Sequence, residues 1–153
     1  MSTLDQFLKD EEVLSEAPWT HDLALSFGQQ IVDKAQKENL VVAVAIFFNN
    51  QRIFQVGLNG TSATNDEWIM RKVNTVQLTQ HSSLALRKKV EELGIQEDAL
   101  GFHAGHLAVC GGGYPLKNKG QLLGIAIVSG LPHEVDHSLI VDSLIEFRKG
   151  KSW

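Results

Sequence analysis

The stretch CGGGYPLKNKGQLLGIAIVSGLPHEVDH, residues 110–137, decides how this chain folds. Its glycine triplet, Gly111 to Gly113, removes side chains where backbone must approach a ligand or another strand closely. The run from Leu122 to Ser129 is apolar and uncharged, which predicts a strand whose end delivers Ser129 and Gly130 to the rim of a sheet. Pro132 stands where a helix can begin, and Val135, Leu139, Ile140, Leu144 and Phe147 follow it at helical spacing. Upstream, His106 to Cys110 reads as a short strand and Tyr114 to Lys117 as a second. Asn118-Lys119-Gly120 then makes the turn into Leu122.

Working toward the amino terminus, Leu40 to Phe48 is a short β-branched run, and Asn49-Asn50 joins it to a second strand-like run, Arg52 to Leu58. This pattern predicts a hairpin. Asn59-Gly60-Thr61-Ser62 ends the sheet segment. Thr64 or Asn65 then opens what reads as one long helix to Leu93, with Asp66 and Glu67 in its first turn, where the helix dipole favours them, and Gly94 as its stop. Residues 94–105 show no clear period. Before the hairpin, Thr20 can cap a helix to about Asn39, because Leu23, Leu25, Phe27, Ile31, Val32 and Ala35 recur at helical spacing. An earlier helix from Ser2 to Leu14 ends at Ala17-Pro18. The order predicts an α+β fold, a central antiparallel sheet flanked by helices on both faces.

At 153 residues, 43% of them apolar and 21% charged, the chain is sized for one domain with a real core. The net charge of −4 argues against a nucleic-acid footprint, which needs a basic face. Cys110 has no partner for an internal disulfide, and neither end shows a signal peptide or a long apolar span. The expectation is a cytoplasmic protein with no membrane segment and no nucleic-acid partner.

Trp68 followed by Arg71-Lys72, then His81-Ser82-Ser83, Gly111-Gly112-Gly113-Tyr114-Pro115, Gly124, Val128-Ser129-Gly130-Leu131-Pro132 and Asp136-His137 form a combination more specific than any of its pieces. Together they resemble the haem-degrading domain family that contains the GlcG-like and HbpS-like proteins, and most closely its branch of short, uncharacterised cytosolic members. The resemblance covers most of the chain after about residue 20. It implies a profilin-like or GlcG-like fold with a five-stranded antiparallel sheet, assembly into dimers and higher rings, and haem or a related small molecule as ligand. The residues themselves name no cofactor. Residues 18–153 then form a single GlcG-like domain and residues 1–17 an N-terminal helical arm. Because Leu4, Phe7 and Leu8 precede a domain already supplied with helices, the arm is expected to pack on a neighbouring subunit of a homo-oligomer built from dimers.

Trp68, Arg71 and Lys72 fall on neighbouring turns of one helix. They are either a solvated face or a place where an Arg fork and a Lys point charge meet an anionic ligand. His103 and His106 can ligate haem iron or a divalent metal, or belong to a loop of partly exposed histidines. His81-Ser82-Ser83 reads as mid-helix; adjacent helical residues diverge, so His81 does not activate Ser82, and pocket lining or a helix contact is the better role. His133 to His137 matches the H-E-x-x-H zinc pattern, but Ile140 and Ser143 stand where the extended form of that pattern places its glycine and its third histidine. Only Asp142 and Glu146 follow as carboxylates. Capping and pocket-rim roles for Asp136 and His137 are preferred, and no metal site is assigned. Cys110 reads as a small buried apolar residue.

The leading function is small-molecule binding, haem or another anionic ligand, in a pocket of Trp68, Arg71, Lys72, the glycine triplet and the Ser129-Gly130 corner. The alternative is a non-enzymatic assembly or adaptor protein whose glycine corner serves packing. No residue set names a reaction, so catalysis stays open and no catalytic residue is assigned.

Overall fold

The computed structural model describes residues 3–96 and 105–153. Its elements are α1 (Thr3–Ser15), α2 (His21–Lys37), β1 (Ala43–Phe48), β2 (Gln51–Gly57), α3 (Ala63–Thr79), α4 (Ser83–Leu93), β3 (Gly113–Asn118), β4 (Gln121–Ser129) and α5 (His133–Arg148). The sheet has the order β2-β1-β4-β3 with every neighbouring pair antiparallel. Both hairpins turn on residues with positive φ: Asn49 and Asn50 at 50° and 63°, Lys119 and Gly120 at 53° and 77°. This left-handed geometry matches the twist of the strands they join.

Strand β1 is buried along its whole length, and its period of two sorts its side chains between two cores. Val44, Ile46 and Phe48 join Ala126 and Val128 of β4 against Phe27 and Ile31 of α2 and Ile140 and Leu144 of α5. Ala43, Ala45 and Phe47 join Ile125 and Ile127 against Ile69, Val73 and Val76 of α3. Helices therefore cover both faces, as the sequence pattern predicts. Thr20 caps α2, its hydroxyl accepting from the Leu23 N–H at 3.1 Å.

Two expectations are corrected. The sheet has four strands among the described residues, not five, because the segment read as a strand from His106 to Cys110 runs as irregular chain. Helix side chains satisfy its backbone instead. Arg71 donates to the Leu107 carbonyl at 3.2 and 3.0 Å, Asn74 to that of His106 at 2.9 Å, and the Thr75 hydroxyl both donates to the Ala108 carbonyl and accepts from its N–H at 2.9 Å. A backbone already paired this way gains nothing from a ladder.

The long helix expected between residue 64 and Leu93 is two helices. Gln80 takes a left-handed conformation at φ 64° and Ser82 caps α4, accepting from the Ala85 N–H at 3.1 Å. The break is held from outside: the buried Glu11 carboxylate accepts from the Ser82 N–H at 3.1 and 3.2 Å and pairs with His81 Nδ1 at 3.0 Å. His81 and Ser82 are thus end-of-helix residues, not mid-helix ones.

Helix α1 packs on α4 and β3 of the same chain. The Glu16 carboxylate accepts from the Lys119 and Gly120 N–H groups at 2.7 and 2.6 Å, closing the β3–β4 turn, and Arg148 donates to the Leu14 and Glu16 carbonyls.

Candidate functional site

A pocket of about 310 Å³ opens between the first turns of α3 and the corner where β4 passes into α5. Thr64, Asn65, Trp68 and Lys72 line it from α3, Cys110 from the irregular segment, Ser129, Gly130 and Leu131 from the corner, and His133 and Asp136 from α5. Its position follows from local chemistry. Ser62 and Asn65 form a capping box that starts α3, and the Asn65 amide reaches across to the Ser129 carbonyl at 3.3 Å, tying the helix start to the strand end.

Beneath the pocket lies a buried ion pair, Lys72 Nζ to Asp136 Oδ2 at 3.1 Å, with side chains 4% and 3% exposed. The ammonium also donates to the Val128 carbonyl at 2.9 Å. Asp136 accepts from the Gly130 and Leu131 N–H groups at 3.3 and 2.9 Å as well. Burial pushes the Asp136 carboxyl up, against the opposing pull of Lys72 and the two backbone donors. With charges matched and oxygens engaged, the pair clamps α3 to the β4–α5 corner; it is not placed as a general base. Gly112 explains part of the glycine triplet. At φ 123° its missing Cβ would lie 2.4 Å from the Val128 carbonyl oxygen and 2.5 Å from Lys72 Nζ, so a side chain there would collide with the clamp.

Arg71 does not enter the pocket as an anion fork. Its guanidinium lies 4.0 Å from the centre of the Trp68 ring while both Nε and Nη2 serve the Leu107 carbonyl. Trp68 keeps 36% of its surface exposed. Gly113 is held by the Ser83 hydroxyl, which accepts its N–H at 2.9 Å, and Gly111 by the His133 ring.

Of the residues singled out from sequence, Trp68, Lys72, Ser129, Gly130 and Asp136 meet in the pocket, with Gly111 and Gly112 packed behind it. Gly113 leads into β3. His137 faces elsewhere: 7% exposed, its ring lies between Phe7 and Tyr114 at 5.5 and 5.6 Å between centroids, and its Nδ1 has no hydrogen-bond partner. Burial pulls its pKa down to about 4. His81 lines a separate apolar groove with Leu4 and Leu8, and Ser82 stays with its cap. His106 is exposed, and His103 lies outside the described residues.

Five lining residues, Thr64, Asn65, Cys110, Leu131 and His133, stand outside the site that the sequence pattern offers. Cys110 is half-buried in the wall instead of the core, and burial raises its thiol pKa. His133 was absorbed into a zinc pattern whose second histidine proves buried between two rings. Among the described residues no group of three His, Cys, Asp or Glu side chains is arranged to hold a metal ion. Asn65 carried one usable signal, the S-x-x-N spacing of a cap.

A family model described as haem degrading protein HbpS-like matches residues 19–144. This chain belongs to the HbpS-like family. A UPF0303 protein of Yersinia enterocolitica is 32% identical over 139 residues, 90% of this chain and 83% of that protein. A UPF0303 protein of Yersinia pestis is 33% identical over 129 residues, 83% and 75% of the two chains. Among solved structures, the Ybr137w protein aligns with a TM-score of 0.85 at 27% identity over 97% of this chain and 90% of that one. HbpS aligns at 0.66 with 20% identity, covering 86% and 90%. A PduOC:heme complex aligns at 0.67 with 20% identity, covering 86% and 95%. The last two establish a shared HbpS-like fold. Among the described residues, no helix is long and apolar enough to cross a membrane.

Proposed function

We propose that this HbpS-like chain binds a small molecule in the pocket between α3 and the β4–α5 corner, and that the ligand carries an anionic group. The observation that carries the reading is the pocket itself. An exposed tryptophan, two helix starts and the His133 imidazole converge on about 310 Å³, the lower end of the ~300–1,000 Å³ range of small-molecule sites. Haem is the specific candidate, supported by family membership and by the heme complex of PduOC.

The residues fit a porphyrin's carboxylates better than its iron. His133 Nδ1 already accepts the Gly111 N–H at 3.0 Å, burial holds the Cys110 thiol protonated, and His137 is walled in by Phe7 and Tyr114. In this reading residues 18–153 form the GlcG-like, profilin-like binding domain, residues 1–17 an N-terminal helical arm, and the protein acts in the cytoplasm.

Titration of the full chain with haemin, followed by visible absorbance, tests the haem version; stoichiometric saturation with a shifted band is expected. Trp68→Ala should weaken binding, and a ligand at 100 times its Kd should add ~2.7 kcal/mol of stability. Absence of any spectral change rejects haem, and a metabolite screen that shifts no melting curve rejects the pocket as a ligand site.

A second reading, a homo-oligomer built from dimers, rests on β2. It ends the sheet with half-buried Ile53, Phe54 and Val56. Light scattering that returns the mass of one chain would reject it.

A further inference from the structure

The His133 imidazole Nδ1 accepts a hydrogen bond from the Gly111 N–H at 3.0 Å. A ring nitrogen that accepts carries no proton, so the neutral ring keeps its proton on Nε2 and presents a donor there, not a lone pair. The fold builds this contact in. A Cβ on Gly111 would lie 2.4 Å from the His133 carbonyl oxygen, so only glycine lets the loop approach this helix start.

The same ring lines the pocket beside Trp68, and its Nε2 already faces a carboxylate of its own chain. Glu134 Oε1 stands 3.8 Å away, too far for a hydrogen bond, on a side chain 79% exposed. Helix α5 starts at His133, and Pro132 gives it no side-chain cap, so the positive end of its dipole lies beside the ring. The cations nearby are committed: Lys72 to Asp136 and Arg71 to the Leu107 carbonyl.

We propose that His133 Nε2–H is the donor that takes the carboxylate of a planar, largely apolar acid lying against Trp68, with Glu134 as its internal competitor. The inference rests on the small-molecule reading of the same pocket and names the chemical class that the pocket selects. Gly111 acts through His133 as a positioning residue, fixing its tautomer.

The test uses isotope-labelled full-length protein and two probes, a naphthoate and its methyl ester. In the free protein the ring-nitrogen resonances of His133 should show Nε2 protonated and Nδ1 bare. The acid should shift the Nε2–H resonance, and the ester should bind at least about tenfold more weakly. Glu134→Gln should tighten binding of the acid severalfold, His133→Phe should abolish it, and His133→Gln, which keeps a donor, should retain part. A proton found on Nδ1, equal binding of acid and ester, or a His133 ring indifferent to the acid would each overturn the proposal.

Haemin and iron-free protoporphyrin on the same protein separate this inference from the haem reading. If the acid binds through His133 and neither porphyrin does, haem is rejected and the donor role stands. If haemin binds only through iron on His133 and protoporphyrin does not bind, the pocket stands and the donor role falls.

Discussion

Replacing Lys72 with Met is the sharpest probe of how the pocket is held. The substitution keeps a straight apolar stem and removes the ammonium that donates to Asp136 at 3.1 Å and to the Val128 carbonyl at 2.9 Å. Asp136 is left with only its backbone donors, Gly130 and Leu131, in a site where its side chain is 3% exposed. Removing one partner of such a pair costs ~3–5 kcal/mol, because the remaining charge is stranded. For a chain of this size each kcal/mol is worth ~2–4 °C, so Tm should fall by roughly 6–20 °C.

Removing both charges in Lys72→Met with Asp136→Leu should cost clearly less than the sum of the two single changes. What remains is the loss of an acceptor for two backbone N–H groups, about 1–3 kcal/mol each if left unsatisfied. The pH dependence has a definite sign. Burial raises the Asp136 carboxyl even with Lys72 present, and removing Lys72 takes away a lowering influence. Between its unfolded pKa and its raised native one, the native state then holds a proton that the unfolded state has lost, so stability rises as pH falls through that window. The deficit of Lys72→Met should shrink between about pH 8 and about pH 5 in urea unfolding. A deficit under about 1 kcal/mol, or one equal at both pH values, would refute the clamp.

His137 predicts acid lability of the opposite origin. Burial lowers its pKa from 6.5 to about 4, Glu11 opposes this and Lys88 and His133 reinforce it, so the native ring binds fewer protons than the unfolded one. Stability should be complete above about pH 6.5 and fall by roughly 3 kcal/mol as pH drops to about 4; His137→Phe should flatten that slope in urea melts, and an unchanged slope assigns the lability elsewhere. Glu11→Ala removes the acceptor of the Ser82 N–H and the partner of His81, and should cost about 1–3 kcal/mol with fraying of α4 in amide exchange. Protection in α4 that does not change would show that Ser82 alone holds the break.

Sequence by itself determined the parts of this protein that are written in local period. The alternation along Val44, Ile46 and Phe48 against Ala43, Ala45 and Phe47 specifies a strand with two covered faces, Asn49-Asn50 specifies its turn, and Thr20 the start of α2. The pocket was half legible for the same reason. Trp68 and Lys72 share one helix face, and Ser129-Gly130 must follow a strand end.

Tertiary structure decided what depends on residues distant in sequence. Glu11 divides the helix at Ser82 from 71 positions away, and Arg71 spends on the Leu107 carbonyl the guanidinium that local pattern offers to an anion. The Gly111 N–H, brought to His133 Nδ1 at 3.0 Å, decides which nitrogen of that ring stays bare. Periodicity records which face of an element is apolar, but a buried polar group takes its role from whichever partner the fold carries to within hydrogen-bond reach, and that partner leaves no mark in the neighbouring sequence.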